Sequence, residues 1–387
     1  MMVAPKLRFK ADDGSDFPDW EDRTLGELFH ISAGGDIDKN NCAAKQSEDY
    51  PYPVYANALV NNGTYGYANY YKIDGDTFTV TGRGDVGHAV ARHCMYVPIV
   101  RLLVCQPNMD DDVDFFAEQI NHTRVFIEST GVPQLTAPQL SKIKVRRPTL
   151  PEQRKIADLL SAVDAVIAAQ QAEVDAWEQR KKGVMQKLFS QEVRFRADDG
   201  SEFPAWEEKT LGEVCFINPR TDALEGEFYY MDLGCVDRGM WEKPEVVSKK
   251  NAPNRAQRVA QIGDVFFQSV RPYNMGHYHY TNKMDKQVVA STGYIQARMK
   301  NGCNAFLYQM FYEERFNVEV SMRCTGSNYP AITANKFSEI VAPFPSLSEQ
   351  RKIADCLSSM DEAIQKSKDE LAKWQELKKG LLQQMFM

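Results

Sequence analysis

Two long stretches of the chain carry apolar residues in a heptad pattern, with steps that alternate between four and three positions. The first contains Ile156, Leu160, Val163, Ile167, Gln170, Val174, Trp177, Lys181, Val184 and Leu188, and the second contains Ile353, Leu357, Met360, Ile364, Ser367, Leu371, Trp374, Lys378, Leu381 and Met385. Such a seam predicts two helices of about 38 residues, each roughly 57 Å long. Pro151 and Ser348 mark their beginnings, and Glu152 and Glu349 suit a helix N-terminus.

A single helix of this kind cannot bury its own apolar seam. We therefore expect the two helices to form an antiparallel coiled coil around a pseudo-twofold axis, with the polar residues Gln170 and Ser367 near its middle. The alternative is two ordinary amphipathic helices, each packed on its own domain.

The chain is a tandem duplication. Residues 8–27 and 194–213 are identical at 15 of 20 positions at an offset of 186, and residues 150–190 and 347–387 are identical at 19 of 41 positions at an offset of 197. Because Met387 aligns with Ser190, joining the C-terminus to the N-terminus would recreate the central junction. The repeat is therefore predicted to be circular, with neighbouring termini.

Between the repeated pieces lie two segments, 28–149 and 214–346, that share little sequence. Strand-like runs begin at Phe78, Ala89, Asp264 and Val288, and helices are expected near 113–128 and 304–320. Turn signals occur at 61–63 and 74–76. The fold class predicted is α/β (α+β), with two mixed α/β domains at 1–149 and 191–346 and joining helices at 150–190 and 347–387.

Composition and charge limit the possible functions. The net charge of −7 lies in the repeated junctions, which carry −3 (residues 1–27) and −4 (residues 191–213), whereas the two variable segments carry −2 and +2. Nucleic-acid binding is therefore not excluded, but little affinity for phosphate is expected from this chain alone. The eight cysteines show no zinc-ligand spacing, and no signal peptide or membrane span is evident, so we expect a cytoplasmic protein with reduced thiols and no metal.

The variable segments share two polar elements. Residues 75–83 align with 263–271, and both end in an arginine, Arg83 or Arg271, that could bind guanine or phosphate or form a surface salt bridge. Residues 130–136 match 325–333, a polar loop that would suit a phosphate, a base edge or a helix N-cap at Thr136 and Thr333. The sequence Gly82-x-Gly84-x-x-Gly87 is followed by a strand-like run, so a glycine-rich turn is favoured over a dinucleotide site.

Residues 52–67 are rich in tyrosine and asparagine, which can stack on bases and bind adenine edges or can pack a sheet. The candidate DNA-contacting residues in the first segment are Asn57, Asn61, Asn62, Tyr65, Thr81, Arg83, His88 and Gln134. Those in the second segment are Ser269, Arg271, Tyr273, Asn274, Asn328 and Tyr329.

The layout resembles the specificity subunit of type I restriction-modification systems. The resemblance rests on the duplicated E-Q-R-K-I-A-D helices starting at 151 and 348, on FKADDGSDFPDW and FRADDGSEFPAW before T-L-G-E, and on the two divergent domains between them. It implies that each variable domain reads one half of a split, asymmetric DNA site, and that the helices set the gap. It also implies docking of two modification subunits, which bind S-adenosylmethionine and methylate adenine, and through them of restriction subunits that use ATP and Mg²⁺.

The chain itself is predicted to be non-catalytic, because it lacks an adenine-methyltransferase N-P-P-[FYW] motif, a P-loop and an H-E-x-x-H motif. The alternative function is a coiled-coil scaffold whose domains bind proteins without reading DNA bases. The helix face that docks the partners is predicted to carry Gln153, Arg154, Lys155, Gln350, Arg351 and Lys352.

Overall fold

The computed structural model describes residues 5–123, 134–220, 223–224, 226–241 and 243–386. They form two compact units: unit 1 comprises Met1–Gln171 with Asp369–Met387, and unit 2 comprises Ala172–Lys368. Each unit thus combines one variable segment with part of both long helices. The domain boundaries predicted from the sequence place these helices in separate segments, whereas the compact units divide each helix between them.

Unit 1 contains ten strands among its described residues. They are β1 (Glu21–Thr24), β2 (Phe29–Ala33), β3 (Cys42–Ala43), β4 (Tyr52–Tyr55), β5 (Thr64–Ala68), β6 (Thr77–Val80), β7 (Ala89–Arg92), β8 (Val97–Pro98), β9 (Leu103–Pro107) and β10 (Lys144–Arg147). The helices are α1 (Leu25–Leu28), α2 (Val113–His122), α3 (Ala137–Ser141) and the first part of α4 (Leu150–Phe189).

Two four-stranded sheets have the orders β2-β9-β6-β7 and β3-β5-β4-β8, and β1 pairs with β10. The strand β6 is buried along its whole length, and the ring of Phe78 lies 5.0 Å from that of Phe29. Phe29 in turn lies 5.0 Å from Phe116 of α2. The core of unit 1 therefore lies between the first sheet and α2.

Unit 2 repeats this plan with the strands and helices that follow. Its strands are β11 (Glu207–Thr210), β12 (Cys215–Ile217), β13 (Glu227–Met231), β14 (Val236–Asp237), β15 (Met240–Trp241), β16 (Glu245–Ser248), β17 (Ala256–Val259), β18 (Val265–Gln268), β19 (Tyr278–His279), β20 (Gln287–Ser291), β21 (Tyr294–Met299) and β22 (Val341–Phe344). Its helices are α5 (Leu211–Val214), α6 (Asn304–Met310), α7 (Glu314–Arg323), α8 (Ala334–Ser338) and the first part of α9 (Leu347–Phe386).

The first sheets of the two units correspond. The second sheets share three strands, β5-β4-β8 and β16-β13-β20, but the fourth strand differs, because β3 pairs with β5 in unit 1 and β17 pairs with β20 in unit 2. The sheet orders in unit 2 are β12-β21-β18-β19 and β16-β13-β20-β17, β11 pairs with β22, and β14 pairs with β15. Each second sheet contains one parallel pair, β4 with β8 in unit 1 and β13 with β20 in unit 2. The two variable segments therefore share a fold although their sequences have diverged.

The two long helices are confirmed, at 40 residues each. The seam positions named above are buried or half-buried in both helices. In unit 1, Ile156 and Leu160 join the core cluster that also contains Met385. In unit 2, Ile353 and Leu357 join a cluster with Leu188.

The repeated motif before each variable segment anchors the beginning of a long helix. In unit 1, Arg8 forms two hydrogen bonds of 2.8 and 3.0 Å with the carboxylate of Glu152, which also accepts one of 3.1 Å from Trp20 Nε1. In unit 2, Arg194 and Trp206 bind Glu349 in the same way. Both carboxylates are fully buried, so these glutamates act as buried acceptors for the arginine and tryptophan of the motif, a role not predicted from the sequence.

The repeated T-L-G-E motif forms a one-turn helix with a capping box. Thr24 N donates to the Glu27 carboxylate at 2.8 Å, and Thr210 N donates to that of Glu213 at 2.6 Å. A Cβ at the glycine between them, Gly26, would lie 2.8 Å from Ser141 Cβ. The motif is therefore a turn that packs closely against α3.

Most predicted elements of the variable segments are present. The helix expected near 113–128 is α2, and the one expected near 304–320 is divided into α6 and α7. The 61–63 turn has Asn61, Asn62 and Gly63 all at positive φ, and Gly75 has φ +88°. Residues 130–133 of the first polar loop lie outside the described residues. Thr136 and Thr333 are N-caps, one of the two roles that the sequence left open for them.

Candidate nucleic-acid interface

The glycine-rich segment of unit 1 forms a loop between β6 and β7. Thr81 closes it, since its hydroxyl donates to the carbonyl of Asp85 and accepts from His88 N at 3.0 Å. Gly84 and Gly87 have positive φ, and Arg83 at the loop is exposed. Because a strand follows, the segment is the predicted turn that presents an arginine.

Asn57 connects this loop to its neighbours. Its side-chain oxygen accepts a hydrogen bond of 2.7 Å from Gly82 N, and its nitrogen donates one of 2.6 Å to the carbonyl of Val100. Arg83 also forms an isolated β-bridge with Gln134. The structure thus brings together Asn57, Arg83 and Gln134, which are far apart in sequence.

The 61–63 turn is stabilised by Arg92, a residue that was not predicted from the sequence. Arg92 donates a hydrogen bond of 2.7 Å to the carbonyl of Asn62 and one of 3.1 Å to the hydroxyl of Thr79. Its guanidinium lies 3.7 Å from the centre of the Tyr55 ring. Burial lowers the pKa of Arg92. Its position on a buried strand face gave no sequence signal for this bracing role.

His88 is half-buried beside the loop. Burial, followed by the positive charge of Arg92, lowers the pKa of its imidazole. Near neutral pH it would therefore offer an uncharged ring with one donor and one acceptor. Tyr65 is exposed on β5, and no described contact joins it to Asn57 or Arg83.

In unit 2 the counterpart of Arg83 is held in a strained backbone conformation. Arg271 has φ +51°, and its backbone N donates 2.7 Å to the carbonyl of Pro330. Its guanidinium stacks on Tyr329, 4.3 Å from the ring centre, and that tyrosine is 66% exposed. The neighbouring Tyr273 and Asn274 are also exposed. Arg271 itself is half-buried, and the exposed Tyr273, Asn274 and Tyr329 lie around it, so these four predicted contact residues form one cluster.

Two predicted contact residues lie inside their loops. Thr81 is buried, and so is Ser269, whose hydroxyl donates 2.7 Å to the carbonyl of Gly293. Their hydroxyls hold loop backbone in place. Asn328 is exposed next to Tyr329.

The predicted partner-docking face needs a correction at two positions. Gln153 is buried, where it accepts from Asp112 N at 2.8 Å and donates to Asp111. Gln350 is buried in the same way and accepts from Cys303 N at 2.9 Å. Both amides link the beginning of a long helix to its own domain, so they cannot form a docking face.

Arg154 and Arg351 are exposed, and Lys155 and Lys352 are partly exposed. Lys155 binds Asp12 and Lys352 binds Asp198.

All eight cysteines are free thiols. Within the described ranges no group of three or more His, Cys, Asp or Glu side chains is arranged to hold a metal ion. Nor does any helix there combine the length and the apolar composition needed to cross a bilayer.

Comparison with known proteins identifies the family. The sequence profile of the type I restriction modification DNA specificity domain matches twice, at residues 18–176 and 205–373. The chain belongs to this family. It carries two DNA specificity domains, and its role is that of a DNA specificity subunit.

Relatives and solved structures agree with this assignment. The chain is 26% identical to the type I restriction enzyme MjaVIII specificity subunit of Methanocaldococcus jannaschii over 71% of this chain and 69% of that protein. It is 22% identical to the putative MjaX specificity subunit of the same organism over 97% and 94%. Its fold matches the S subunit of the M. genitalium type I restriction-modification system with a TM-score of 0.66 at 17% identity, over 100% and 99% of the two chains.

Proposed function

We propose that each of the two specificity domains reads one half of a bipartite, asymmetric DNA site, mainly through the major groove. The observation that carries this proposal is that each unit presents an arginine, Arg83 or Arg271, at equivalent loops after equivalent strands. Around these arginines the sequences differ, as two readers of different half-sites require. An arginine can bind both acceptors of a guanine edge or a phosphate.

The two long helices are proposed to pair as an antiparallel coiled coil that sets the gap between the half-sites. Within unit 1, Lys378 binds Asp164 at 2.8 Å, and within unit 2, Lys181 binds Asp361 at 2.6 Å. These two pairs are related by the repeat offset of 197. In unit 2, Glu173 meets Ser367 while Lys181 meets Asp361, so residue numbers rise along one helix as they fall along the other.

The termini support a circular arrangement of the repeat. Leu7 N donates a hydrogen bond of 3.1 Å to the carbonyl of Gln384, and Val193 N donates one of 3.2 Å to the carbonyl of Lys187. These residues occupy matching repeat positions. The same hydrogen bond is thus made once within continuous chain and once between residues near the two ends.

In the assembled system the chain would be a non-catalytic subunit that docks two adenine-specific modification subunits. Those subunits would bind S-adenosylmethionine, and restriction subunits attached through them would use ATP and Mg²⁺. The near-neutral charge of the variable segments supports this division, because phosphate neutralisation would then come largely from partners that close around the duplex.

Exchanging segment 28–149 for that of another family member tests the proposal. Methylome sequencing of cells that express the complete system should show one half of the methylated site changed and the other half retained. A change in both halves, or in neither, would contradict the assignment of one half-site to each domain. A site unchanged in both halves would also favour the protein-binding scaffold, which the family assignment does not support.

Single substitutions test the two arginines separately. Arg83→Ala should weaken methylation of the natural site through the half read by unit 1, and Arg271→Ala through the other half. The exposed Arg180→Ala on α4, outside the loops and outside the predicted docking face, is the control, for which unchanged methylation is expected. If both loop variants methylate the site as well as the control does, the arginines are not DNA contacts.

A further inference from the structure

The connection between β8 and β9 in unit 1 is a tight turn of unusual sequence. Leu102 N donates 3.0 Å to the carbonyl of Ile99, and the two central residues, Val100 and Arg101, have φ +53° and +59°. A turn with both central residues left-handed normally contains Asn-Gly or similar pairs. Valine is particularly unfavourable there, because its branched Cβ crowds the backbone.

The surrounding backbone forces this conformation on the turn. Val100 N donates 2.9 Å to the carbonyl of Gly35, and Arg101 N donates 3.0 Å to that of Gly34. The carbonyl of Val100 accepts the 2.6 Å hydrogen bond from Asn57. A Cβ on Gly34 would lie 2.7 Å from the Pro98 carbonyl, so the two segments are packed as closely as glycine allows.

The strained residues do not serve the packing of the unit. Val100 is 48% exposed, and Arg101 is exposed as well. An apolar β-branched side chain and a cation are therefore kept in solvent at a position where Asn-Gly would relieve the backbone. Strain that is retained in this way marks positions at which a side chain has a function.

The turn lies beside the arginine loop of the same unit. Asn57 binds both segments, Gly82 N on one side and the Val100 carbonyl on the other. A Cβ on Gly82 would lie 3.3 Å from the carbonyl oxygen of Arg101. Arg101 and Arg83 are thus two exposed arginines on neighbouring loops, and Gln134 is bridged to Arg83.

We infer that Val100 and Arg101 contact DNA in the half-site read by unit 1. Arg101 supplies a second arginine beside Arg83, for a guanine edge or a phosphate, and the Val100 methyl groups suit the methyl group of thymine. The inference rests on the proposed function and adds residues to the same surface. DNA is favoured over a protein partner because of the side chains that these loops combine. The arginines and the amide of Gln134 can bind base edges and phosphates, and the valine can contact a thymine methyl group.

The test is the double variant Val100→Asn with Arg101→Gly, which gives the turn its favoured sequence. In the isolated full chain this variant should raise the melting temperature or leave it unchanged, because the strain is relieved. In the complex with modification subunits it should bind a duplex carrying the natural site about tenfold or more weakly, since a well-placed arginine contact is lost.

Two further variants define the type of contact. Arg101→Ala alone should lower the affinity for DNA. If the contact is to phosphate, the slope of the logarithm of the binding constant against the logarithm of the salt concentration should also fall in magnitude by about one. If the contact is to a base, methylome sequencing should show one relaxed position in the half-site of unit 1. Gln191→Gly is the matched control, because Gln191 is also exposed with positive φ (+60°) but lies at the repeat junction, and it should bind DNA normally.

Three outcomes are distinguishable. Wild-type affinity and site preference in a well-folded double variant would overturn the inference. Loss of modification subunits from the complex, with the isolated chain still folded, would assign the turn to a protein interface and also overturn it. If exchange of 28–149 changes half of the site while the double variant is silent, only this inference fails and the proposed function stands.

Discussion

At the scale of single residues, the buried glutamates at the beginnings of the long helices dominate the repeated frame. Glu152 is fully buried, and its carboxylate accepts from Arg8 and Trp20. We expect Glu152→Ala to lower the free energy of unfolding by about 3–5 kcal/mol, because the arginine and the indole lose their buried acceptor. Chemical denaturation of the full chain measures this loss.

The matched control is Asp158→Ala, on the exposed surface of the same helix. It should change stability by less than about 0.5 kcal/mol. Glu349→Ala should behave like Glu152→Ala, because Arg194 and Trp206 bind it with the same geometry. An effect of Glu152→Ala no larger than that of the control would contradict the role assigned to the carboxylate.

A buried histidine predicts a pH dependence of stability. His277 is fully buried, and burial lowers the pKa of its imidazole to about 3. Its Nδ1 accepts 3.0 Å from Gln268 N. Below the ordinary value of about 6.5 the unfolded chain binds a proton that the folded chain refuses, so stability falls as the pH falls from 6.5 towards 3.

Between pH 7 and pH 5 this histidine alone should remove roughly 2 kcal/mol from the free energy of unfolding. His277→Asn should make the loss of stability between pH 7 and pH 5 smaller by that amount. The remaining loss includes the contribution of His279, because burial lowers the pKa of its imidazole to about 4. His30→Asn, on an exposed residue, is the control. Denaturation curves at the two pH values measure both, and equal pH dependence in wild type and His277→Asn would refute the assignment.

At the scale of helices and turns, patterns in the sequence predict those elements whose position is determined by nearby residues. The heptad steps locate α4 and α9, because a seam of 40 residues outweighs local propensity. The Thr136 and Thr333 caps follow from capping chemistry. By contrast, the Val100–Arg101 turn has no turn-forming residue, and its conformation comes from Gly34, Gly35 and Asn57, which are distant in sequence.

The burial of Gln153 and Gln350 could not be predicted for a related reason. Their sequence, E-Q-R-K, is that of a solvated helix surface. They are internal because backbone N–H groups of their own domains, at Asp112 and Cys303, donate hydrogen bonds to their side-chain oxygens. Periodicity locates elements, whereas tertiary contacts decide which polar side chains remain free for function.

If the paired helices set the gap, lengthening both should lengthen the gap. Inserting one heptad after Gln171 and another after Lys368, positions matched by the repeat, adds about 10.5 Å while keeping the seam in register. The methylated site should keep both half-sites and gain up to about three base pairs between them. Methylome sequencing reads this change directly.

Insertion into α4 alone is the control, because it leaves the partner helix short and disrupts the pairing. This variant should lose stability and methylation. An unchanged gap in the double insertion would show that the helices are not the ruler.

At the scale of the whole molecule, the duplication raises the question of where the chain needs to begin. The junction at Gln191 and Glu192 is exposed, and Leu7 reaches Gln384 through the hydrogen bond that Val193 makes to Lys187. A permuted chain that begins at Glu192, joins Met387 to Lys6 through a single glycine and ends at Gln191 should therefore fold with the same units; the glycine replaces Pro5 because the matching Gln191 has φ +60°, which proline cannot adopt. In complex with its modification subunits it should methylate the same bipartite site, because neither domain nor helix has been cut.

The control for this experiment is a permutant opened within β6, at the centre of a sheet in unit 1, which should not fold. The Glu192 permutant should retain the cooperative unfolding of the parent within about 1–2 kcal/mol, since one exposed chain break replaces another. If it folds but methylates only one half-site or changes the gap, continuity through residues 190–193 matters for function and the repeat is not circular in the sense proposed. If it reproduces the parent site, the order of the two domains along the chain carries no information, and specificity depends on the pair of domains and the helices between them.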